Sequence, residues 1–354
     1  VDQGAPDRHA MDIYPLLRAV LFCMDAERSH RLAMAGMARA PRLFGCAGGR
    51  AVDDPADMMG LHFRNRIGLA AGLDKDGVAI EALDRMGFGF IEVGTVTPRA
   101  QPGNPRPRMF RLPRHRALIN RMGFNNAGVD ALVRRIESAR RHCPLGVNIG
   151  KNRDTPLDHA LDDYLLCLRR VYGVADYVVV NVSSPNTAGL RDLQRGSRFR
   201  DLFGRVAAEC RRLADVHGMR RPLLVKLSPD LPAAELRETA LRARELGAAG
   251  VIVTNTTITR PGLESELMAT EPGGLSGRPL RAAALAALRE LRSSLGAEFA
   301  LIGVGGIMGR DDALERRTAG ADLIQLYTGL VYRGPRLVRE CAQALADFPD
   351  ALAK

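Results

Sequence analysis

The sequence predicts an α/β protein, a (β/α)8 or TIM barrel with a small N-terminal two-helix extension. Three observations support this fold class. From about residue 67, eight short β-branched or apolar runs alternate with segments of helical periodicity. The runs are too apolar for a half-exposed sheet, which favours parallel strands covered on both faces. Eight repeats in roughly 290 residues also match the size of such barrels, for which about 250 residues is typical.

The strand candidates are IGLA (67–70), FIEV (90–93), LGVNI (145–149), YVVVNV (177–182), LLVKL (223–227), GVIVT (250–254), ALIGV (300–304) and DLIQL (322–326). Between them, apolar residues at spacings of three and four predict helices, for example in VDALVRRIESAR and RAAALAALRELRSSL. An open doubly wound sheet is the alternative. It is disfavoured because the first strand is not followed by the GxGxxG motif typical of that fold.

The chain divides into three predicted parts. Residues 1–11 show no periodic pattern and are predicted to be a disordered tail. Residues 12–45 form a helical extension, and residues 46–354 form the barrel.

Two short amphipathic helices are predicted in the extension. Tyr14, Leu17 and Leu21 recur at three and four spacing, and Asp25 is suited to cap a second helix that ends before Pro41. Helices of this composition are suited to lie on a membrane surface or to close over a pocket. The alternative is a helical cap that simply packs on the barrel.

Bulk composition excludes several classes of function. No apolar run approaches the roughly 20 residues that cross a bilayer, and six scattered cysteines without a CxxC pair disfavour zinc, iron–sulfur and disulfide frameworks. A reducing compartment is therefore expected. The net charge is +11, but the basic residues are spread along the chain and only 5% of residues are aromatic, which disfavours nucleic-acid binding.

Lysine is rare in this chain, since only four of the 51 basic residues are lysines. The three internal ones, Lys75, Lys151 and Lys226, each follow a predicted strand. Functional side chains of a (β/α)8 barrel lie at these carboxyl ends of the strands. The positions therefore favour a functional need for a compact ammonium group over chance survival of lysine in an arginine-rich chain.

The strand ends carry amide, hydroxyl and ammonium groups rather than histidines or a metal-ligand cluster. A glycine-rich turn, GVGGIMGRDDA, follows the seventh strand, where such barrels often bind a phosphate; a plain tight turn is the alternative. After the second strand, a long polar segment brings Asn120, Phe124, Asn125 and Asn126 together, unless it is only an ordered surface loop. Together these groups suit a planar, anionic, phosphate-bearing ligand such as a flavin.

The motifs LAAGLDKDG, GNPRPRMFRL, INRMGFNNAG, NVSSPNTAGL, VKLSPD, TNTT, GGLSGRPL and GVGGI together resemble the dihydroorotate dehydrogenase family. The serine in Ser-Ser-Pro-Asn, where class 1 members carry a cysteine base, and the N-terminal helix pair are similar to its class 2, quinone-reducing form. The resemblance implies one FMN per chain, oxidation of dihydroorotate to orotate in pyrimidine synthesis, and reoxidation by a membrane quinone. It also implies a monomer attached peripherally to an anionic membrane, at the cytoplasmic face of the inner membrane.

The same resemblance assigns residues by motif. Ser184 is the catalytic base. Dihydroorotate is held by Lys75, Asn120, Phe124, Asn181, Asn186, Asn255 and Thr256. FMN is held by Ala71, Gly72, Lys75, Thr95, Asn148, Asn181, Lys226, Thr254, Gly277, Gly306, Tyr327 and Thr328. His30 and Arg111 match positions that line the quinone site, and no metal site is expected.

Two alternative enzymes remain at this stage. One is a class 1 type of dihydroorotate dehydrogenase that uses a soluble acceptor such as fumarate. The other is an aldolase on the same fold, because Lys226 at the end of the fifth strand is placed where a Schiff-base lysine would lie.

Overall fold

The computed structural model describes residues 13–47 and 51–348. Within them the strands are β1 Ala56–Met58, β2 Leu61–Phe63, β3 Ile67–Leu69, β4 Phe90–Val96, β5 Met109–Leu112, β6 Ala117–Asn120, β7 Leu145–Ile149, β8 Tyr177–Asn181, β9 Leu223–Leu227, β10 Gly250–Val253, β11 Gly274–Gly277, β12 Ala300–Val304 and β13 Leu323–Leu326. The predicted tail, residues 1–11, lies outside the described residues.

The helices alternate with these strands along the chain. They are α1 Tyr14–Phe22, α2 Ala26–Arg39, α3 Pro41–Ala47, α4 Ile80–Arg85, α5 Val129–Ser138, α6 Ala160–Val171, α7 Gly196–His217, α8 Ala233–Glu245, α9 Arg281–Leu295, α10 Arg310–Thr318, α11 Thr328–Arg333 and α12 Arg336–Ala346. None of the described helices is long and apolar enough to cross a membrane.

The eight predicted strands close into one parallel barrel, in the order β3, β4, β7, β8, β9, β10, β12 and β13, with β13 pairing β3. The predicted (β/α)8 fold is therefore confirmed. Every residue of these strands is buried. This explains why the sequence shows them as continuous apolar runs, because outward side chains meet the helices and inward ones fill the barrel.

The barrel interior is apolar at one end and polar at the other. Phe63, from the β1–β2 hairpin, packs edge-to-face on Phe90 with ring centroids 5.5 Å apart. These rings, together with Tyr177 and Leu224, belong to one buried cluster inside the barrel. Further along the strands the inward positions carry polar side chains instead, so that ligand chemistry is confined to the carboxyl ends of the strands.

The N-terminal extension contains three helices in the described residues, one more than predicted. The second helix ends at Arg39 as expected, and the Asp25 side chain caps it by accepting a hydrogen bond from Arg28 N at 2.9 Å. The chain turns helical again at once, because Pro41 begins α3, where its fixed φ suits a first helical turn.

Ion pairs to a buried carboxylate attach the extension to the segment that follows β4. The Glu27 carboxylate of α2 accepts from Arg108 Nη2 at 2.7 Å and from Arg106 Nη2 at 2.9 Å. Although burial opposes ionisation, the two arginines lower the pKa of Glu27 to about 2. Arg111 donates to the Met24 carbonyl oxygen at 2.7 Å and to Ser29 Oγ at 2.8 Å, which holds the α1–α2 turn.

The long polar segment after β4 is more than a loop, because part of it is β-sheet. Strands β5 and β6 form an antiparallel hairpin within it, and β11, from the segment after β10, pairs with β6. The sequence missed these strands because GLSG and ALIN carry little strand propensity of their own. Pairing between segments that are distant in sequence decides their conformation.

Candidate active site

A cavity of about 970 Å³, measured with its open mouth, lies at the carboxyl ends of the barrel strands beneath the β5–β6–β11 sheet. It brings together every residue predicted for the substrate and cofactor sites except Asn148. Those residues are Ala71, Gly72, Lys75, Thr95, Asn120, Phe124, Asn181, Ser184, Asn186, Lys226, Thr254, Asn255, Thr256, Gly277, Gly306, Tyr327 and Thr328.

Asn148 lies beneath the cavity rather than in its wall. It is fully buried, and its Oδ1 accepts from Thr95 Oγ1 at 2.5 Å and from Asn181 Nδ2 at 3.1 Å. Asn181 Nδ2 also donates to Thr95 Oγ1 at 2.8 Å. The floor is therefore a closed hydrogen-bonded triangle, which fixes the orientation of the Thr95 and Asn181 side chains that reach the cavity.

The segment NVSSPNTAGL (181–190) leaves β8 and places Ser184 in the wall of the cavity with a small exposed area. The Ser184 hydroxyl accepts a hydrogen bond from Asn186 N at 3.3 Å, and Asn186 Nδ2 donates to Asn120 Oδ1 at 3.3 Å. Ser184 thus contacts the backbone of Asn186, whose side chain is in turn bonded to Asn120 at the end of β6.

Arg191 braces this segment from behind. Its Nε donates to the Ser183 carbonyl oxygen at 3.1 Å, and its Nη2 donates to the Thr256 carbonyl oxygen at 3.1 Å. Its Nη1 forms an ion pair with Asp230 at 2.8 Å. One guanidinium therefore ties together the loops after β8, β9 and β10, and this rigidity keeps Ser184 in place.

The predicted lysines separate into two groups. Lys75 and Lys226 line the cavity, whereas Lys151 donates to the carbonyl oxygens of Asn152 at 3.1 Å and Thr155 at 2.7 Å and supports its own loop. Burial lowers the pKa of Lys75 to about 8. Burial also lowers the pKa of Lys226, an effect that the Glu92 carboxylate partly opposes. Both cavity lysines thus supply positive charge in a poorly solvated place.

Two glycines let the backbone approach a ligand closely. Gly277 and Gly306 line the cavity with φ of +95° and +76°. A Cβ at Gly277 would lie 2.3 Å from the Arg116 carbonyl oxygen, and one at Gly306 would lie 2.5 Å from Arg281 Cα. A side chain is excluded at both positions because its Cβ would meet neighbouring backbone, and both residues therefore present only backbone to the cavity.

A family model described as dihydroorotate dehydrogenase matches residues 55–348. The chain belongs to this family. A relative from Paraburkholderia phymatum, named dihydroorotate dehydrogenase (quinone), is 54% identical over 336 residues, which cover 94% of this chain and 98% of the relative. One from Alkalilimnicola ehrlichii with the same name is 55% identical over 337 residues, covering 94% of this chain and 99% of the relative.

Solved structures of the dihydroorotate dehydrogenase from Eimeria tenella have the same fold. The complex with ferulenol superposes with a TM-score of 0.81 at 39% identity, covering 90% of each chain. The ligand-free form superposes with a TM-score of 0.82 at 40% identity, covering 91% of this chain and 94% of the other.

Sequence reasoning missed several groups in this family member. Met122, Ser276, Leu280, Gly305 and Gln325 also line the cavity. Beneath it lies Glu92, fully buried on β4. The signal for Glu92 was a single acidic residue inside the otherwise apolar run FIEV, since buried charges are rare unless they are paired or hydrogen-bonded.

The two residues predicted for the quinone site lie between the helical extension and the barrel. Neither lines the main cavity. His30, on α2, has its pKa lowered to about 4 by burial and by the nearby charge of Lys75. Arg111 is engaged with the α1–α2 turn and packs over the Phe22 ring, 4.6 Å from its centroid. Their role toward a quinone remains a prediction.

Proposed function

We propose that this chain oxidises (S)-dihydroorotate to orotate in pyrimidine synthesis, with Ser184 as the base, and delivers the electrons to a membrane quinone. The observation that carries the proposal is the convergence of Ser184, four asparagine amides and two lysines in one cavity. Serine in place of cysteine at the base, and curated relatives named for quinone, favour this form over one that uses fumarate.

The cavity fits FMN. Gly277 and Gly306 present only backbone to the cavity, which leaves room for a ring or a phosphate, and Lys226 supplies buried positive charge. FMN would be held by the twelve residues that the sequence predicts for it, with Asn148 acting through Thr95 and Asn181. When bound, FMN supplies the acceptor for the hydride that leaves C6 of the substrate.

The chain's own residues account for the rest of the chemistry. Ser184 would remove the proton from C5 of dihydroorotate and, because a serine hydroxyl is a weak base, would pass its own proton on to a chain of water molecules as it does so. Asn120, Asn186 and Asn255 offer amide donors and acceptors to the substrate ring and carboxylate. Lys75 offers its positive charge to that carboxylate.

The proposed function is tested on the purified protein. Flavin absorption bands should be present, should bleach on anaerobic addition of dihydroorotate, and should recover with a soluble quinone but not with fumarate. If only fumarate restores the flavin absorption bands, the electron acceptor is fumarate rather than a quinone. A colourless protein that is trapped by borohydride on Lys226 with a carbonyl substrate would identify an aldolase instead, since a lowered lysine pKa also suits that chemistry.

Substrate affinity is expected to depend on the ionisation of Lys75. Its pKa is about 8, so its ammonium is present below that pH and is lost above it. An ammonium attracts the substrate carboxylate, so KM should rise as pH increases through about 8. Initial rates from pH 6.5 to 9.5 measure this. Lys75→Met should have a higher KM that does not rise with pH. If the KM of the variant rises with pH as it does in the wild type, Lys75 is not the group responsible.

We infer that the extension, residues 12–45, attaches the enzyme peripherally to an anionic membrane at the cytoplasmic face of the inner membrane, and that the chain acts as a monomer. Several large apolar side chains of α1 and α3 face outward, with Leu16 75%, Val20 64% and Leu43 71% exposed. Leu16 and Val20 are four residues apart and share one face of α1. Arg28 and Arg31 of α2 are exposed nearby in sequence.

The double variant Leu16→Glu, Val20→Glu is expected to lower binding to anionic vesicles by at least about tenfold, because burial of one such side chain contributes roughly 1.5–3 kcal/mol. Cosedimentation with phosphatidylglycerol vesicles measures it. The matched control, Leu166→Glu with Val216→Glu, changes exposed apolar residues outside the extension. Equal losses in both double variants would argue against the extension as the membrane contact.

A further inference from the structure

Glu92 is a fully buried carboxylate that does not reach the cavity. It lies on β4 inside the barrel. Its Oε1 accepts from Asn148 Nδ2 at 2.8 Å, and its Oε2 accepts from Gln325 Nε2 at 2.6 Å. An ionised carboxylate only accepts hydrogen bonds, so both amides must turn their NH2 groups toward it.

The orientation of Asn148 in turn affects the orientation of the next side chains in the floor of the site. Because the Asn148 amino group is directed to Glu92, Asn148 Oδ1 faces Thr95 and Asn181 and accepts from both. Asn181 must then present its own amino group to Asn148, which leaves Asn181 Oδ1 as the acceptor on the other side. That oxygen accepts from the Ser183 backbone N at 3.1 Å, which reinforces this orientation, and also from Ser183 Oγ at 3.1 Å and from Asn255 Nδ2 at 3.5 Å.

Asn255 carries the last amide of this hydrogen-bonded series. Asn255 Nδ2 also donates to Ser183 Oγ at 2.9 Å, and Asn255 Oδ1 accepts from Thr256 N at 2.7 Å. Asn181, Asn255 and Thr256 all line the cavity. One buried charge is therefore connected, through amides of defined polarity, to the side chains that meet the ligand.

We propose that Glu92 is a positioning residue whose negative charge sets the donor and acceptor orientation of Asn148 and, together with the backbone N–H groups of Ser183 and Thr256, that of Asn181 and Asn255, and thereby the hydrogen-bond pattern offered to dihydroorotate. This inference rests on the proposed function and explains how the polar groups of that site are held in one orientation. A glutamine in this place would both donate and accept, so that either orientation of Asn148 would be satisfied and the pattern would lose its single polarity. The positive charge of Lys226 offsets the cost of burying the carboxylate.

The test compares Glu92→Gln with the wild-type holoenzyme. The Kd of orotate is read from the change it causes in the flavin absorption spectrum, and Tm is recorded alongside. We expect Kd to increase at least tenfold in Glu92→Gln with FMN present at saturation. Glu92→Asp keeps an acceptor-only group and should bind orotate more tightly than Glu92→Gln, even where the missing methylene lowers Tm further. Glu290→Gln, at an ion pair with Arg237 on the outer surface, is the matched control.

An orotate Kd within twofold of wild type in Glu92→Gln would overturn the proposal, as would affinities in the Gln and Asp variants that simply follow Tm. If Glu92→Gln does not fold, Asn148→Ala removes the next link and carries the same expectation and the same refuting result. Failure of the wild-type enzyme to bind orotate would instead refute the proposed function.

Discussion

Replacing Ser184 with alanine is expected to lower the rate of flavin reduction by dihydroorotate by about 10²- to 10⁴-fold, the usual contribution of a general base. The hydroxyl is the only proton acceptor removed, and the backbone of its loop is held independently by Arg191 and Asp230. FMN should therefore stay bound. Anaerobic stopped-flow absorbance measures the reduction rate, and the flavin-to-protein ratio measures occupancy.

The control for this variant is Ser293→Ala, an exposed serine on α9 whose hydroxyl donates within its own helix. It should keep the wild-type rate. A near-normal reduction rate in Ser184→Ala would show that another group takes the proton from C5. Loss of FMN together with the rate would show that Ser184 serves the structure of the loop.

Replacing Lys226 with methionine is expected to lower turnover by about 10²-fold or more, as removal of a preorganised charge from a poorly solvated active site typically does. The same change leaves the fully buried Glu92 carboxylate without its nearby cation. A buried carboxylate is less stable without a nearby positive charge, so the midpoint of urea unfolding should fall as well.

Lys151→Met provides the comparison, because Lys151 also follows a barrel strand but binds carbonyl oxygens of its own loop. It should lower stability and retain turnover. The two variants are compared by steady-state assay with a soluble quinone and by urea unfolding. Wild-type turnover in Lys226→Met, or equal losses of turnover in both variants, would remove Lys226 from the chemistry.

The barrel itself was predictable from the sequence. Each of its strands is buried on both sides, so each produces a mostly apolar run such as ALIGV (300–304), which local pattern alone identifies. Strand ends then located the site, since the (β/α)8 fold places functional groups there whatever the loop conformations are. For that reason Lys75, Ser184 and Asn255, which the sequence places just after barrel strands, lie together in one cavity.

The tertiary structure decided what depends on contacts between distant segments. The β6–β11 pairing joins residues about 150 positions apart and has no local signature, because backbone hydrogen bonds rather than side-chain propensity hold it. Tertiary contacts also place Asn148 under the cavity and surround Glu92 with amide groups. Lys151 lies away from the cavity because it binds carbonyl oxygens of its own loop. The sequence by itself determined which side chains lie at the carboxyl ends of the barrel strands. Only tertiary packing decided which of them line the cavity and which hold the lining side chains in place.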